Sequence, residues 1–238
     1  MSFTTWTPRA LWSSARHWHG SVWRIVDAQY LAGSMKLVDT REEQDILDRL
    51  LQADLPMLPQ VFRQLDPLLT AAFRTHPLRR GSRFRAITDP GVFYGATEVD
   101  TACAEMGYWR WKFLQDAVDL ADIPPVAYTA FESDVATLAI DLRDRHFSRD
   151  EDHWQHRSSY TGTQALARSA RAANLGAVRY ASVRDPHQGE CIALLTPAAF
   201  ASPLPRPVRQ TWWLLARRNE VIWRSDSRSL VFGARHWT

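Results

Sequence analysis

The order of strand-like and helix-like segments is the feature that most constrains the fold of this chain. Short runs rich in β-branched and aromatic residues alternate irregularly with amphipathic segments. This mixed order favours an α+β fold, with mainly antiparallel sheets and flanking helices, over a doubly wound parallel sheet. No GxGxxG opens a helix and no GxxxxGK[ST] occurs, so both usual nucleotide-binding fingerprints are missing.

The first predicted strand is VWRIV at 22–26. Its period of two places Val22, Arg24 and Val26 on one face, which directs Arg24 toward the buried side. An arginine in that position calls for an acidic partner or an anionic ligand.

A helical insertion is predicted at about 40–75. Thr40 and Glu43 form a capping-box pattern ahead of an apolar helical stripe over 46–51. Repeated prolines between 54 and 82 then predict irregular turns, with a short helix near 68–73.

The segments SRFRAI and GVFYGA, separated by TDPG, predict a hairpin with Arg83 and Arg85 on one face and Phe84 on the other. Thr97 is then expected to cap a helix, with Glu105 near the margin of its apolar stripe. That stripe is predicted to contain the residues Val99, Ala102, Cys103, Met106 and Phe113.

The second half of the chain predicts more strands and one helix. One or two strands are expected over 128–142, and a helix that begins in TGTQALARSARA is expected to end at Gly176. AVRYASVR and GECIALLTP then form a predicted strand pair around DPHQ, and 211–232 reads as a C-terminal hairpin. We expect a single domain over 1–238.

Charge and cysteine content favour a reduced cytoplasmic protein. The formal net charge is +3, and Lys36 and Lys112 are the only lysines, so arginine carries nearly all of the positive charge. Arginine suits phosphates and carboxylates, although a solvated surface explains most of these residues. Cys103 and Cys191 lie in apolar segments without a CxxC pattern, and no apolar run predicts a signal peptide or a membrane span.

Three polar residues follow one another at a spacing of eleven: Arg83, Tyr94 and Glu105. A cation, a phenol and a carboxylate that converge on one pocket would suit cleavage of a dinucleotide. Taken singly, each has a structural explanation, namely an ion pair, a core aromatic or a solvated helix residue. His153 and His156 have HxxH spacing, but no third ligand accompanies them, so no metal is expected.

Four separated motifs carry a resemblance to a known family: WRI at 23–25, GSRFR at 81–85, GVFYGATEVDTACAE at 91–105 and RYASVRDPHQGECIALLTP at 179–197. They resemble the RES-domain family, whose members are similar in fold to ADP-ribosyltransferases. The family includes bacterial toxins that destroy NAD+ and pair with Xre-type antitoxins. Phe84-Arg85 and Glu190 stand where the family commonly has Trp-Asn and Asn.

The resemblance implies roles for individual residues. It makes Arg83, Tyr94 and Glu105 the catalytic candidates, with Glu105 stabilising the positive charge that develops on the ribose. The candidates for binding the dinucleotide are Arg24, Arg85, Ser182 and Arg184.

The implied reaction is cleavage of the nicotinamide–ribose bond of NAD+, as a phosphorylase or a glycohydrolase. Inorganic phosphate and water both remain open as the nucleophile, and homo-oligomerisation remains open as well. DNA would be contacted only through the antitoxin. Two alternatives remain: ADP-ribosyl transfer to a macromolecule, and a non-catalytic nucleic-acid-binding or interaction module, which the arginine surplus favours but the 26 interleaved acidic residues oppose.

Overall fold

The structure is a computed structural model that describes residues 6–28, 64–73 and 81–238. The predicted helix over 46–51, with its capping box, lies outside these residues, as does most of the insertion expected at 40–75. The short helix predicted near 68–73 is present as Pro67–Thr70, where the Asp66 carboxylate accepts the N–H of Leu68 at 2.8 Å.

The described elements are numbered in chain order. The helices are α1 Pro8–Ser14, α2 Pro67–Thr70, α3 Val99–Asp116, α4 Glu151–Trp154 and α5 Thr161–Ala172. The strands are β1 Arg16–Asp27, β2 Phe93–Ala96, β3 Asp122–Asp141, β4 Ala177–Ala181, β5 Glu190–Leu194, β6 Arg209–Arg217, β7 Glu220–Arg224 and β8 Ser229–Gly233. Short 3-10 turns occupy Arg145–Asp150, Pro197–Ala199 and Ala234–His236.

The chain divides into two compact units. Of the described residues, the first unit contains 6–24, 65–73, 81–105 and 132–207, and the second contains 25–28, 64, 106–131 and 208–238. Both units combine mainly antiparallel strands with helices, which confirms the predicted α+β class.

In the first unit, β2 pairs antiparallel with β5, β5 pairs antiparallel with β4, and β4 runs parallel to the second half of β3. Strand β1 joins β2 at Trp23 opposite Ala96. These strands form because their apolar residues fill the core on one or both faces; Phe93, Ile140 and Ile192 are fully buried. The predicted pairing of the 177–184 and 189–197 segments is therefore confirmed, over residues 177–181 and 190–194.

In the second unit, the first half of β3 pairs with β6, and β6, β7 and β8 follow as an antiparallel meander. Alternation along β6 and β7 buries Trp212, Leu214 and Trp223 completely. The β3–β6 register is irregular between Ile123 and Val126, where two consecutive prolines lack N–H groups. The predicted C-terminal hairpin is confirmed, and β8 adds a third strand that was not predicted.

The hairpin predicted for SRFRAI and GVFYGA is wrong. Ser82 and Arg85 instead close a tight turn, with N–H···O distances of 2.7 and 3.2 Å in the two directions. The Asp89 carboxylate accepts the N–H of Ala86 at 2.8 Å, and Gln164 donates to the turn carbonyls, so this backbone needs no partner strand. Strand β2 pairs with β1 and β5 instead.

Three smaller expectations also need correction. Phe113 is 54% exposed and does not belong to the buried stripe of α3. The residue with left-handed backbone after α5 is Asn174, with φ of 55°, and not Gly176. Ile25 is buried while Val26 is half-buried, so β1 does not bury the predicted face throughout.

Both cysteines are buried and neither is in a disulfide. Among the described residues, no helix is both long enough and apolar enough to cross a membrane.

Substitution of Gly176 tests the packing between the segment after α5 and strand β3. A Cβ at Gly176 would lie 1.9 Å from Thr137 Oγ1, so Gly176→Ala is expected to cost about 1–3 kcal/mol of unfolding free energy. Thr137→Ala should restore most of that loss in the double variant, because it removes the clashing atom. Additive losses in a urea-unfolding double-mutant cycle would contradict this account.

Candidate active site

The Glu105 carboxylate is held through one of its two oxygens. Oε1 accepts a hydrogen bond from Ser182 Oγ at 2.6 Å and lies 3.8 Å from Cys191 Sγ. Oε2 accepts no hydrogen bond from any residue that the structure describes. Glu105 is half-buried on α3, so this oxygen is available to a bound molecule.

Ser182 is positioned to fix Glu105. Its hydroxyl oxygen accepts the backbone N–H groups of Arg184 at 3.1 Å and Asp185 at 3.0 Å, so its hydrogen is directed to Glu105. The side chain is only 1% exposed. Ser182 therefore acts on Glu105 here, and its role in binding the dinucleotide stays a prediction.

The loop after β4 is fastened to α3 one turn before Glu105. Asp185 accepts a hydrogen bond from Thr101 Oγ1 at 2.7 Å, and it also accepts the N–H groups of His187 and Gly189. A Cβ at Gly189 would lie 2.0 Å from Thr101 Oγ1, so only glycine fits there. Sequence reasoning missed Asp185 and Thr101, although the RDPHQG turn next to a predicted site serine was a usable signal.

Tyr94 supports the turn that carries Arg83. Its hydroxyl accepts the N–H of Phe84 at 2.9 Å and shares a 2.8 Å hydrogen bond with Ser82 Oγ. Burial raises the pKa of the Tyr94 hydroxyl, with its hydrogen bonds and nearby arginines opposing that rise. The catalytic role that the resemblance implies for Tyr94 stays a prediction.

Arg83 and Arg184 meet around Tyr160. The Arg83 guanidinium lies 5.0 Å from the Tyr160 ring centroid, and its Nη1 donates to the carbonyls of Trp154 and His156. Arg184 Nη2 donates to the carbonyl of Arg157 and lies 3.5 Å from the Tyr160 hydroxyl. Both arginines are almost fully buried, which makes them organised groups rather than solvated surface charges.

The other two predicted binding arginines have different surroundings. Arg24 Nη1 donates to the carbonyl of Tyr94 at 3.0 Å, and its guanidinium lies 4.6 Å from the Phe93 ring centroid. Arg85 is directed toward Asp89, where its Nε donates to the backbone carbonyl at 3.0 Å. Arg24 thus supports strand β2, which bears Tyr94. Arg85 belongs to a separate cluster around Asp89.

Tyr180 is the common neighbour of the three catalytic candidates. Burial raises the pKa of its hydroxyl strongly; Cys191, Glu105 and Tyr94 raise it further, and Arg83 opposes them. Each of these groups therefore interacts electrostatically with the Tyr180 hydroxyl. Sequence reasoning missed Tyr180, which it treated only as part of the predicted strand AVRYASVR.

Glu190, where the family commonly has Asn, has a structural role in this chain. Its carboxylate lies 2.5 Å from Arg179 Nε and 2.9 Å from Arg143 Nη2, and Asp141 completes the network. Arg143 lowers the pKa of Asp141 through hydrogen bonds and charge, despite the opposing effect of burial. The departure at Glu190 is thus accommodated by two arginines.

The described residues contain no group of three or more His, Cys, Asp or Glu side chains arranged to hold a metal ion. His156 lies in a loop, and its Nδ1 accepts the N–H groups of Ser158 and Ser159.

The fold and the site define an α+β protein in which Ser182, just after β4, fixes the carboxylate of Glu105. Residues 57–216 match the family described as RES domain, so this chain belongs to the RES-domain family, as its motifs predicted.

A chain of the M. tuberculosis MbcT–MbcA toxin–antitoxin complex is similar at 12% identity, with a TM-score of 0.43. The alignment covers 94% of this chain and 89% of that chain. No curated protein matches this chain in sequence.

The buried hydroxyl of Tyr180 and the buried thiol of Cys191 predict that the stability of the protein falls at alkaline pH. The pKa values of Tyr180 and Cys191 are raised well above 10.0 and 9.0, mainly by burial. The folded state therefore holds these protons more tightly than the unfolded chain. The contribution of these two groups to stability should be constant below about pH 9 and then fall as the pH rises, by up to about 1.4 kcal/mol per pH unit for each group.

Urea unfolding between pH 7 and 11 measures this slope. Tyr180→Phe, which keeps the ring and removes the hydroxyl, is expected to flatten it. An unchanged slope in that variant would mean that Tyr180 does not contribute to the fall in stability at alkaline pH.

Proposed function

We propose that this protein degrades NAD+ by cleaving the nicotinamide–ribose bond. The observation that carries the proposal is the Glu105 carboxylate, in which Ser182 holds one oxygen and the other makes no bond to the described protein. Membership of the RES-domain family supports the same reaction through the implied roles of Arg83, Tyr94 and Glu105.

The carboxylate suits the charge changes of this reaction. As the C–N bond breaks, its electron pair moves onto the positively charged nicotinamide nitrogen, and positive charge develops on the ribose. A fixed carboxylate next to the sugar stabilises that charge, as in glycoside cleavage. Because Ser182 orients Glu105 before the substrate binds, little reorganisation is needed during the reaction.

The arginines suit the rest of the dinucleotide. Guanidinium groups bind phosphate oxygens through paired, charge-assisted hydrogen bonds, which a lysine matches less well. Arg83 and Arg184 are the two candidates that share a neighbour, because both contact Tyr160. A water molecule or inorganic phosphate then bonds to the ribose carbon and loses a proton, which gives hydrolysis or phosphorolysis.

The proposed setting is a bacterial toxin–antitoxin pair in the cytoplasm, where NAD+ is available. An Xre-type antitoxin is the proposed partner, and DNA would be contacted through it. Depletion of NAD+ would then account for toxicity when the antitoxin is absent.

Glu105→Gln is expected to reduce nicotinamide release from NAD+ about a hundredfold or more, because the amide cannot stabilise the positive charge. Chromatography of purified protein with NAD+, with and without phosphate, measures the rate and identifies the second product. Glu98→Gln, an exposed residue just before α3, is the matched control and should retain full activity. Full activity in Glu105→Gln would remove the carboxylate from the mechanism, and NAD+-derived label on protein or nucleic acid would indicate ADP-ribosyl transfer instead.

Ser182→Ala is expected to lower kcat with a smaller change in KM, by about ten- to a hundredfold. It leaves the carboxylate present but without the hydrogen bond that orients it. In a variant that also carries Glu105→Gln, the Ser182→Ala effect should largely disappear. Independent, multiplicative losses would contradict the positioning role.

A further inference from the structure

Three guanidinium groups converge on two consecutive residues, Asp89 and Pro90. Arg85 Nε donates to the backbone carbonyl of Asp89 at 3.0 Å, and Arg168 Nη1 lies 3.2 Å from the Asp89 carboxylate. Arg171 Nη2 donates to the carbonyl of Pro90 at 3.2 Å. Three positive charges are thus gathered at one short turn.

The arginines outnumber the acidic groups at this turn. The Asp89 carboxylate is the one acid among these contacts, and part of its capacity is used by the N–H of Ala86. Within the described residues, neither Arg85 nor Arg171 forms an ion pair. Arg85 is 5% exposed and Asp89 8% exposed, so water does not fully solvate the excess of positive charge.

Arg171 carries buried donors that are not satisfied. Its Nε and Nη1 are buried and have no hydrogen-bond partner within the described part of the chain. Such donors cost free energy unless an acceptor reaches them. Burial lowers the pKa of Arg171; Asp89 and Tyr94 oppose this effect, and the charges of Arg85 and Arg168 add to it.

The arrangement is fixed by α5 rather than by flexible chain. Gln164, Arg168 and Arg171 are spaced four and three residues apart on this helix, so they share one face. Gln164 Nε2 donates to the carbonyls of Ser82 and Arg85 at 2.9 and 3.2 Å. Helix α5 therefore holds Arg168 and Arg171 against Asp89 and Pro90, and through Gln164 it also contacts the 82–85 turn that carries Arg85.

The cluster adjoins the proposed active site through Tyr94. The Tyr94 hydroxyl supports the 82–85 turn and interacts electrostatically with Arg171 as well as with Arg83. The 82–85 turn thus connects Arg85 of the cluster to the Tyr94 hydroxyl of the proposed active site.

We propose that Arg171 and Arg85 form a binding subsite for a phosphoryl oxyanion at the Asp89–Pro90 turn. The anion would satisfy the buried Nε and Nη1 donors of Arg171 and balance the surplus positive charge. A phosphoryl group matches both demands, because it carries up to two negative charges and several acceptor oxygens in the geometry of a guanidinium fork. Which molecule carries the phosphoryl group depends on the proposed function. The existence of the subsite does not depend on it.

Thermal unfolding of the full chain, with added anion at matched ionic strength, tests the subsite. Two probes are used: inorganic phosphate and ADP-ribose, which carries a pyrophosphate but no nicotinamide. Wild-type protein should be stabilised saturably by at least one of them. Arg171→Gln should raise the apparent dissociation constant about tenfold or more, whereas Arg224→Gln, an exposed arginine on β7, should leave it unchanged.

The two probes separate the sources of the anion. Stabilisation by phosphate alone would support a site for free phosphate, and stabilisation only by ADP-ribose would support a site for a phosphoryl group of the nucleotide. If neither probe stabilises wild type, or if Arg171→Gln responds as wild type does, the proposal is overturned.

Two further variants keep the test decisive. If Arg171→Gln does not fold, Arg171→Lys keeps a charge without the fork, and an unchanged dissociation constant in that variant would overturn the proposal. Glu105→Gln should keep the anion response while losing turnover. An inactive wild-type protein that still binds the anion through Arg171 would refute the enzymatic proposal alone.

Discussion

The hydrogen bond from Ser182 to Glu105 is the interaction on which the rest of the candidate site depends. It joins a helix to the end of a strand across 77 residues of sequence, and it leaves one carboxylate oxygen without a protein partner. The turn after β4 saturates the serine oxygen with two backbone N–H groups, so the hydroxyl hydrogen has one direction left. A fixed carboxylate is what cleavage of a glycosidic bond requires.

Two local structures hold the groups that surround this bond. The loop after β4 is fastened to α3 by Asp185 and Thr101, which fixes the helix turn ahead of Glu105. The 82–85 turn, which carries Arg83, is fastened by the Tyr94 hydroxyl. Much of the site is therefore built from hydrogen bonds between distant segments, and it should be sensitive to small polar substitutions that leave the core packed.

The sequence predicted the parts of the fold that depend on local pattern. The β4–β5 pair and the C-terminal hairpin follow from alternation and turn residues, and the motifs identified the candidates on α3 and β2. The segment around Arg83 was predicted as a strand because its alternation is strand-like. In the structure its backbone is satisfied instead by its own turn, by Asp89 and by Gln164, and no local pattern reveals such a distant partner. Tyr180 was missed for the same reason, since its importance comes from neighbours that only the fold brings together.

The central claim is that Glu105 meets the ribose of NAD+ through the oxygen that Ser182 does not hold. An experimental structure of the Glu105→Gln variant with NAD+ bound tests this most directly. The account predicts the nicotinamide ribose within hydrogen-bonding distance of the residue 105 amide, with Ser182 on the opposite side of that group. NAD+ bound at a distance from residue 105, with Arg83 and Tyr94 making no contact to it, would contradict the claim.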